Sequence, residues 1–139
     1  MKKNKIFLIS ALAVLSIIIL IFFITKNGDK VSSSREGPDK NLLVGEWIRT
    51  DASYLIIIES IKDDGTLKAQ YFNPKPINVG SAIWEENYGN LKVIIELQDV
   101  NYPGSKYTLN YLPDRDILAG DYYQAVQGLN FYVEFIRNK

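Results

Sequence analysis

The side chains with chemistry to offer are tyrosines and carboxylates. The chain has nine tyrosines, and Tyr71, Tyr107, Tyr111, Tyr122, Tyr123 and Tyr132 fall in strand-like stretches. A phenol hydroxyl inside a cavity can orient a polar ligand by donating or accepting a hydrogen bond. Tyr71, Tyr107, Tyr111 and Tyr122, together with Gln124 and Phe131, are therefore the expected ligand-binding set. The competing reading is that the same rings fill a core, because tyrosine suits strands and small barrels are often solid. The carboxylates come in neighbouring pairs: Asp63 with Asp64, Glu85 with Glu86, Asp114 with Asp116. Glycoside hydrolysis needs two carboxyls about 5–10 Å apart across a substrate, and calcium needs six or more oxygens. Each pair sits in a turn-like stretch, where acidic side chains are ordinarily solvated. Glu46, Glu59 and Asp121 fall within strand-like stretches, and one inside a barrel would be an acid–base candidate. Nothing in the sequence places any of them inside. No catalytic residue is assigned, and nothing points to a metal or a cofactor.

Composition narrows the chemistry further. The 139 residues include neither cysteine nor histidine. Zinc sites of the usual Cys/His type, thiolate nucleophiles, disulfides and Ser-His-Asp triads are excluded. So is lipid attachment at a lipoprotein cysteine. Net charge is zero overall, but residues 1–41 carry seven basic and three acidic side chains, and residues 42–139 carry nine and thirteen. A mildly acidic domain has no electrostatic footprint for nucleic acid.

Three elements must position these residues. "MKKNKIFLISALAVLSIIILIFFIT" opens with three lysines and then runs uncharged from Ile6 to Thr25. As a helix that run is about 30 Å long, the thickness of a bilayer's hydrocarbon core. It is longer than a signal peptide's apolar stretch and lacks a small-residue cleavage pattern. The expectation is an uncleaved signal anchor over residues 1–25, which partners the membrane through residues 6–25. A cleaved signal peptide and a secreted product is the alternative. Lys2, Lys3 and Lys5 put the N-terminus in the cytoplasm and the remainder outside, periplasmic or extracellular. "KNGDKVSSSREGPDKN", residues 26–41, reads as a flexible polar linker.

From Leu42 the apolar period is two. Strands are expected at about 45–50, 54–61, 66–72, 77–84, 91–98, 105–112, 117–125 and 129–137, with turn residues between them. Leu91, Val93, Ile95 and Leu97 form one dry face, Tyr107, Leu109 and Tyr111 another, Leu129, Phe131, Val133 and Phe135 a third. Strand 117–125 reads either way: Ile117, Ala119, Asp121 and Tyr123 inward, or Leu118, Gly120, Tyr122 and Gln124. "NPKP" at 73–76 cannot donate to a ladder at either proline, so it marks a corner or an edge. Eight consecutive antiparallel strands predict an all-β up-and-down meander barrel over residues 42–139, with a two-sheet sandwich as the alternative.

Gly45-Glu46-Trp47 at the first strand resembles the G-x-W start of the calycin barrels: lipocalins, fatty-acid-binding proteins and avidins. That resemblance implies that Trp47 plugs one barrel end and packs against a basic residue from the last strand. Arg137 is in phase to do so. Gly45, Trp47 and Arg137 are thus the expected closure. "YFNPKPINVGSA", "YPGSKYTLNY" and "LAGDYYQA" resemble an uncharacterised group of secreted or membrane-tethered bacterial domains with an avidin-like barrel. The resemblance implies a fold and an envelope location and no activity. Avidins line their biotin pocket with several tryptophans, and this chain has two. The functional expectation is a non-enzymatic binding module for a small apolar or amphipathic ligand. The alternative is an envelope interaction or inhibitor domain with a filled core. A carboxylate–tyrosine enzyme is the third reading.

Overall fold

Alternating apolar and polar residues build nine antiparallel strands: β1 (Gly45–Arg49), β2 (Leu55–Ile61), β3 (Leu67–Asn73), β4 (Lys75–Ile77), β5 (Val79–Asn87), β6 (Asn90–Leu97), β7 (Ser105–Leu112), β8 (Ile117–Gln124) and β9 (Leu129–Arg137). The structure is a computed structural model that describes residues 37–139. The expected signal anchor and most of the expected linker lie outside those residues. Among the described residues, no helix is long and apolar enough to cross a membrane. A single 3-10 turn, Lys40–Leu43, capped by the Asp39 carboxylate, leads into β1.

One sheet holds all nine strands in the order β4-β3-β2-β1-β9-β8-β7-β6-β5. First and last strands pair, Trp47 opposite Arg137 and Ile48 opposite Ile136, which curls the sheet round. The two ends of the sheet meet at one bridge, Thr66 to Ile83, beside which the Trp84 N–H donates to the Gly65 carbonyl at 2.8 Å. The domain is all-β, a nearly closed barrel. It has nine strands where eight were expected. The extra one is β4, three residues that fold back on β3 with Pro76 opposite Phe72. A strand containing proline is confined to an edge because it lacks the N–H, and β4 is the edge.

Two turns show how local chemistry sets register. Tyr88 (φ 50°) and Gly89 (φ 81°) join β5 to β6 in two residues. Positive φ at both central positions is the hairpin geometry whose twist matches the strands. It lets β5 run to Asn87, beyond the expected end near 84. In β8 the open question of facing resolves to Leu118, Gly120, Tyr122 and Gln124 inward, since Leu118, Gly120 and Tyr122 stand opposite the buried Tyr111, Leu109 and Tyr107 of β7 while Asp121 and Tyr123 are exposed. Gly120 is required there: a Cβ would sit 2.2 Å from the Thr108 carbonyl oxygen of the neighbouring strand.

The interior is filled. Trp47, Ile56, Val93, Ile95, Tyr107, Leu109, Leu118 and Phe135 have no exposed surface. Their rings and branches interlock, Tyr107 edge-on to Phe135 with centroids 5.5 Å apart.

Candidate functional site

Strand direction gives the barrel two unlike ends. β1 starts at one end with Gly45 and finishes at the other with Arg49. The first end is closed. Trp47 donates its Nε1–H to the Leu43 carbonyl at 2.9 Å. The Arg137 guanidinium lies over the Trp47 ring, 4.1 Å from its centroid. Its Nη1 donates to the Val44 carbonyl (2.9 Å) and its Nη2 to the Leu42 carbonyl (2.7 Å). Its Nε donates to Asp116 at 2.8 Å. Gly45 makes room, because a Cβ would stand 2.7 Å from Nη1 of Arg137, and its φ of 141° disfavours any side chain. Asp116 also accepts from the Tyr111 hydroxyl at 3.0 Å. The Arg137 hydrogen bond holds the Asp116 carboxyl below the usual range, against the opposing effect of partial burial.

At the opposite end the inward positions run out into a bowl of about 220 Å³. Arg49 comes from the end of β1, Tyr71 and Asn73 from the end of β3, Tyr122 and Gln124 from the end of β8, and Phe131 from the start of β9. Tyr54 before β2 and Tyr102 in the β6–β7 loop complete the wall. Near-parallel rings climb from floor to rim: Tyr107 on Tyr122 with centroids 4.5 Å apart, then Phe131 at 6.5 Å from Tyr122. Phe131 is 41% exposed at the lip. On the other side Tyr54 meets Tyr71 edge-on.

The polar groups of the bowl are partly committed. The Tyr71 and Tyr107 hydroxyls share a hydrogen bond of 2.9 Å at the floor. Asn73 donates its amide to the Tyr102 hydroxyl at 2.7 Å. Arg49 makes a two-point contact with Asp51, Nε at 2.5 Å and Nη2 at 3.0 Å, and lies over the Tyr54 ring. Burial works against the Arg49 charge, but Asp51 and Tyr107 outweigh it and its pKa stands above the ordinary value. Asp51 is held below its ordinary range by the Arg49 hydrogen bond.

Burial pushes the Tyr71, Tyr107 and Tyr122 phenols upward. At neutral pH these hydroxyls stay protonated, so they serve as hydrogen-bonding groups and not as bases. The carboxylates considered from sequence lie elsewhere. Glu46 and Asp121 are exposed on the outer wall. Glu59 sits at a bulge in β2, where it contacts Lys68 and Gln70.

Four of the six expected ligand-binding residues, Tyr71, Tyr122, Gln124 and Phe131, come together in the bowl. Tyr107 lies beneath it, sealed from solvent. Tyr111 does not belong to it. It packs edge-on against Trp47 at the closed end, centroids 6.1 Å apart. Four residues along β7 from Tyr107 amount to about 13 Å, and β7 runs toward the closed end. Sequence reasoning missed Arg49 and Asn73, although both are in phase with inward neighbours, Trp47 and Tyr71. Tyr54, just before β2 but inside the stretch expected as strand 54–61, is likewise in phase with Ile56 and Ile58; Tyr102 stands in a loop and carries no phase signal.

A broader depression of about 390 Å³ lies at the closed end between Tyr88, Lys92, Asn110 and Leu112. Asn87 and Asn90, which flank the β5–β6 turn, also line it, and Lys92, Asn110 and Leu112 are outward strand positions, so it lies on the outer wall and not in the barrel mouth. No family model, curated protein or solved structure matches this chain.

Proposed function

We propose that this chain is a membrane-tethered, extracytoplasmic binding module: a calycin-like barrel that takes a small amphipathic ligand at its mouth. The observation that carries this reading is the bowl, a concave site where ring faces and convergent polar groups from four strands and two loops meet. The filled interior beneath confines any ligand to the bowl itself. The calycin likeness is supported by Gly45-x-Trp47 and by the Arg137–Trp47 stack, the arrangement that resemblance implied. The tether rests on the uncharged run from Ile6 to Thr25 behind Lys2, Lys3 and Lys5. The test is native mass spectrometry of the full chain isolated from cells. A retained adduct of constant mass that vanishes on denaturation, and is lost in Phe131→Ala, is expected. A bare mass, with no stabilisation by any member of a small-amphiphile library, overturns the reading.

One observation favours the second reading, an envelope interaction domain. On the outer wall Phe72, Leu55, Ile48, Ile136, Ile117 and Leu112 stand in register, one on each of six neighbouring strands. Ile136 is 48% and Leu112 37% exposed, Ile48, Leu55 and Phe72 are half-buried, and Ile117 between Ile136 and Leu112 is buried. An apolar row across a sheet is a surface suited to a protein partner. Loss of a cross-linked partner in Ile136→Lys, with the bowl empty, would favour it.

A further inference from the structure

We propose that the ligand of the mouth bowl is a saccharide, a neutral cyclic polyol that seats one ring; this rests on the bowl being the binding site. Four observations narrow the class.

The first is depth. Tyr107, Leu109 and Phe135 directly below the bowl have no exposed surface, so no channel leads into the barrel for an acyl tail. The second is size. About 220 Å³ falls below the roughly 300–1,000 Å³ of pockets for drug-sized ligands, which leaves room for about one ring.

The third is charge. Arg49 is the one charged residue that lines the bowl, and Asp51 already occupies two of its donors. An anion would have to displace Asp51, or bind beside a carboxylate. The fourth is the kind of polar group on offer. Asn73 and Gln124 carry amides, which both donate and accept. The Tyr102 hydroxyl accepts from Asn73 and keeps its own proton to give. An anion needs donors only. A sugar hydroxyl, itself donor and acceptor, matches groups that are two-sided.

The walls fit the same ligand. Tyr54, Tyr102, Tyr122 and Phe131 present ring surface. The axial C–H face of a pyranose is apolar and slightly positive, and it packs on the negative face of an aromatic ring. Hydroxyls at the sugar's edge then reach the amides. The bowl opens outward at the rim formed by Phe131, so a terminal sugar binds while a longer glycan extends into solvent.

The experiment is saturation-transfer NMR on the full chain in lipid nanodiscs, with irradiation of the protein's aromatic protons. The probes are glucose, N-acetylglucosamine and maltose, with glucuronate as the anion and octanoate as the tail. Transfer to the ring C–H protons of the neutral sugars is expected, and glucuronate should bind no better than glucose. Phe131→Ala and Gln124→Ala should each weaken binding roughly five- to tenfold, the scale of one aromatic contact or one hydrogen bond. Phe131→Trp should restore it. Octanoate or glucuronate bound in a Phe131-dependent way, with the neutral sugars silent, overturns the saccharide while leaving the bowl as a binding site. No Phe131-dependent signal from any probe overturns both. Gln124→Ala alters no packed ring, so it keeps the test valid should Phe131→Ala misfold.

Discussion

Replacing Arg137 by alanine removes the piece that closes one end of the barrel, and the cost can be worked out contact by contact. The guanidinium covers the Trp47 ring at 4.1 Å. A cation–π contact shielded from water contributes about 1–2 kcal/mol. The Val44 carbonyl loses its 2.9 Å donor in a partly buried place. A hydrogen bond lost there costs about 1 kcal/mol. Leu42 is exposed, and its carbonyl finds water instead. The Asp116 side chain is 39% exposed, so solvent screens the ion pair to about 0–1 kcal/mol. The sum is about 2–4 kcal/mol, a large part of the roughly 5–15 kcal/mol that holds a domain folded. For a domain of this size it lowers Tm by roughly 8–30 °C. The assay is urea unfolding of residues 37–139 carrying Trp84→Phe, so that Trp47 alone reports. The variant should show both the lost stability and a red-shifted native emission from an uncovered Trp47. Arg137→Lys, which keeps a cation but loses the planar fork, should lie between. A loss below about 1 kcal/mol, with emission unchanged, would refute the claim that Arg137 closes this end.

Three further outcomes follow from the packing. Gly120→Ala places a Cβ 2.2 Å from the Thr108 carbonyl oxygen. Backbone in a ladder cannot yield as a side chain can, so the cost should reach or exceed the upper end of the overpacking range, about 3 kcal/mol; unchanged urea midpoints would count against the close approach. Tyr71→Phe and Tyr107→Phe each break the 2.9 Å hydroxyl pair at the bowl floor. Each should cost about 1 kcal/mol, with the double variant costing less than their sum in a double-mutant cycle. Acid sensitivity should trace partly to Asp116. Its folded carboxyl holds its charge to lower pH than the unfolded one, so its contribution is complete above about pH 4 and is lost as pH falls through the lower folded value. Asp116→Asn should flatten that acid limb, measured by urea midpoints across the range; an unchanged slope would remove Asp116 from the account.

Period-two alternation made most of the strands legible. Seven of the nine match the expected stretches to within a residue or two at each end, because each buries one face and solvates the other. The exceptions have physical causes. β4 is too short for a period to show, and only its prolines marked it as an edge. β5 runs on to Asn87 because the turn after it needs only Tyr88 and Gly89. The facing of β8 was ambiguous since the first half of each of its faces is apolar: Ile117 and Ala119 point outward and are still only 3% and 5% exposed. A buried outer face looks the same in sequence as a face buried in a core.

Phase says which way a side chain points, and not how deep along the barrel it lies. Tyr107 and Tyr111 share a strand and a phase, yet one lies under the bowl and the other beside Trp47 at the far end. Depth depends on which end of each strand is open, and that is set by strand direction and stagger. The direction was recoverable. If Trp47 and Arg137 mark the closed end, β1 runs away from it and β9 toward it. An up-and-down order then sends β8 away and β7 toward it. The later residues of β7 must lie at the closed end, which removes Tyr111 from any mouth site. The same count puts the last inward residues of β1, β3 and β8 at the mouth: Arg49, Asn73 and Gln124. Whether the space between them is hollow could not be counted in this way. It depends on how Tyr107 interlocks with Phe135, and Tyr111 with Trp47, across the barrel, and that packing is a property of strands far apart in sequence.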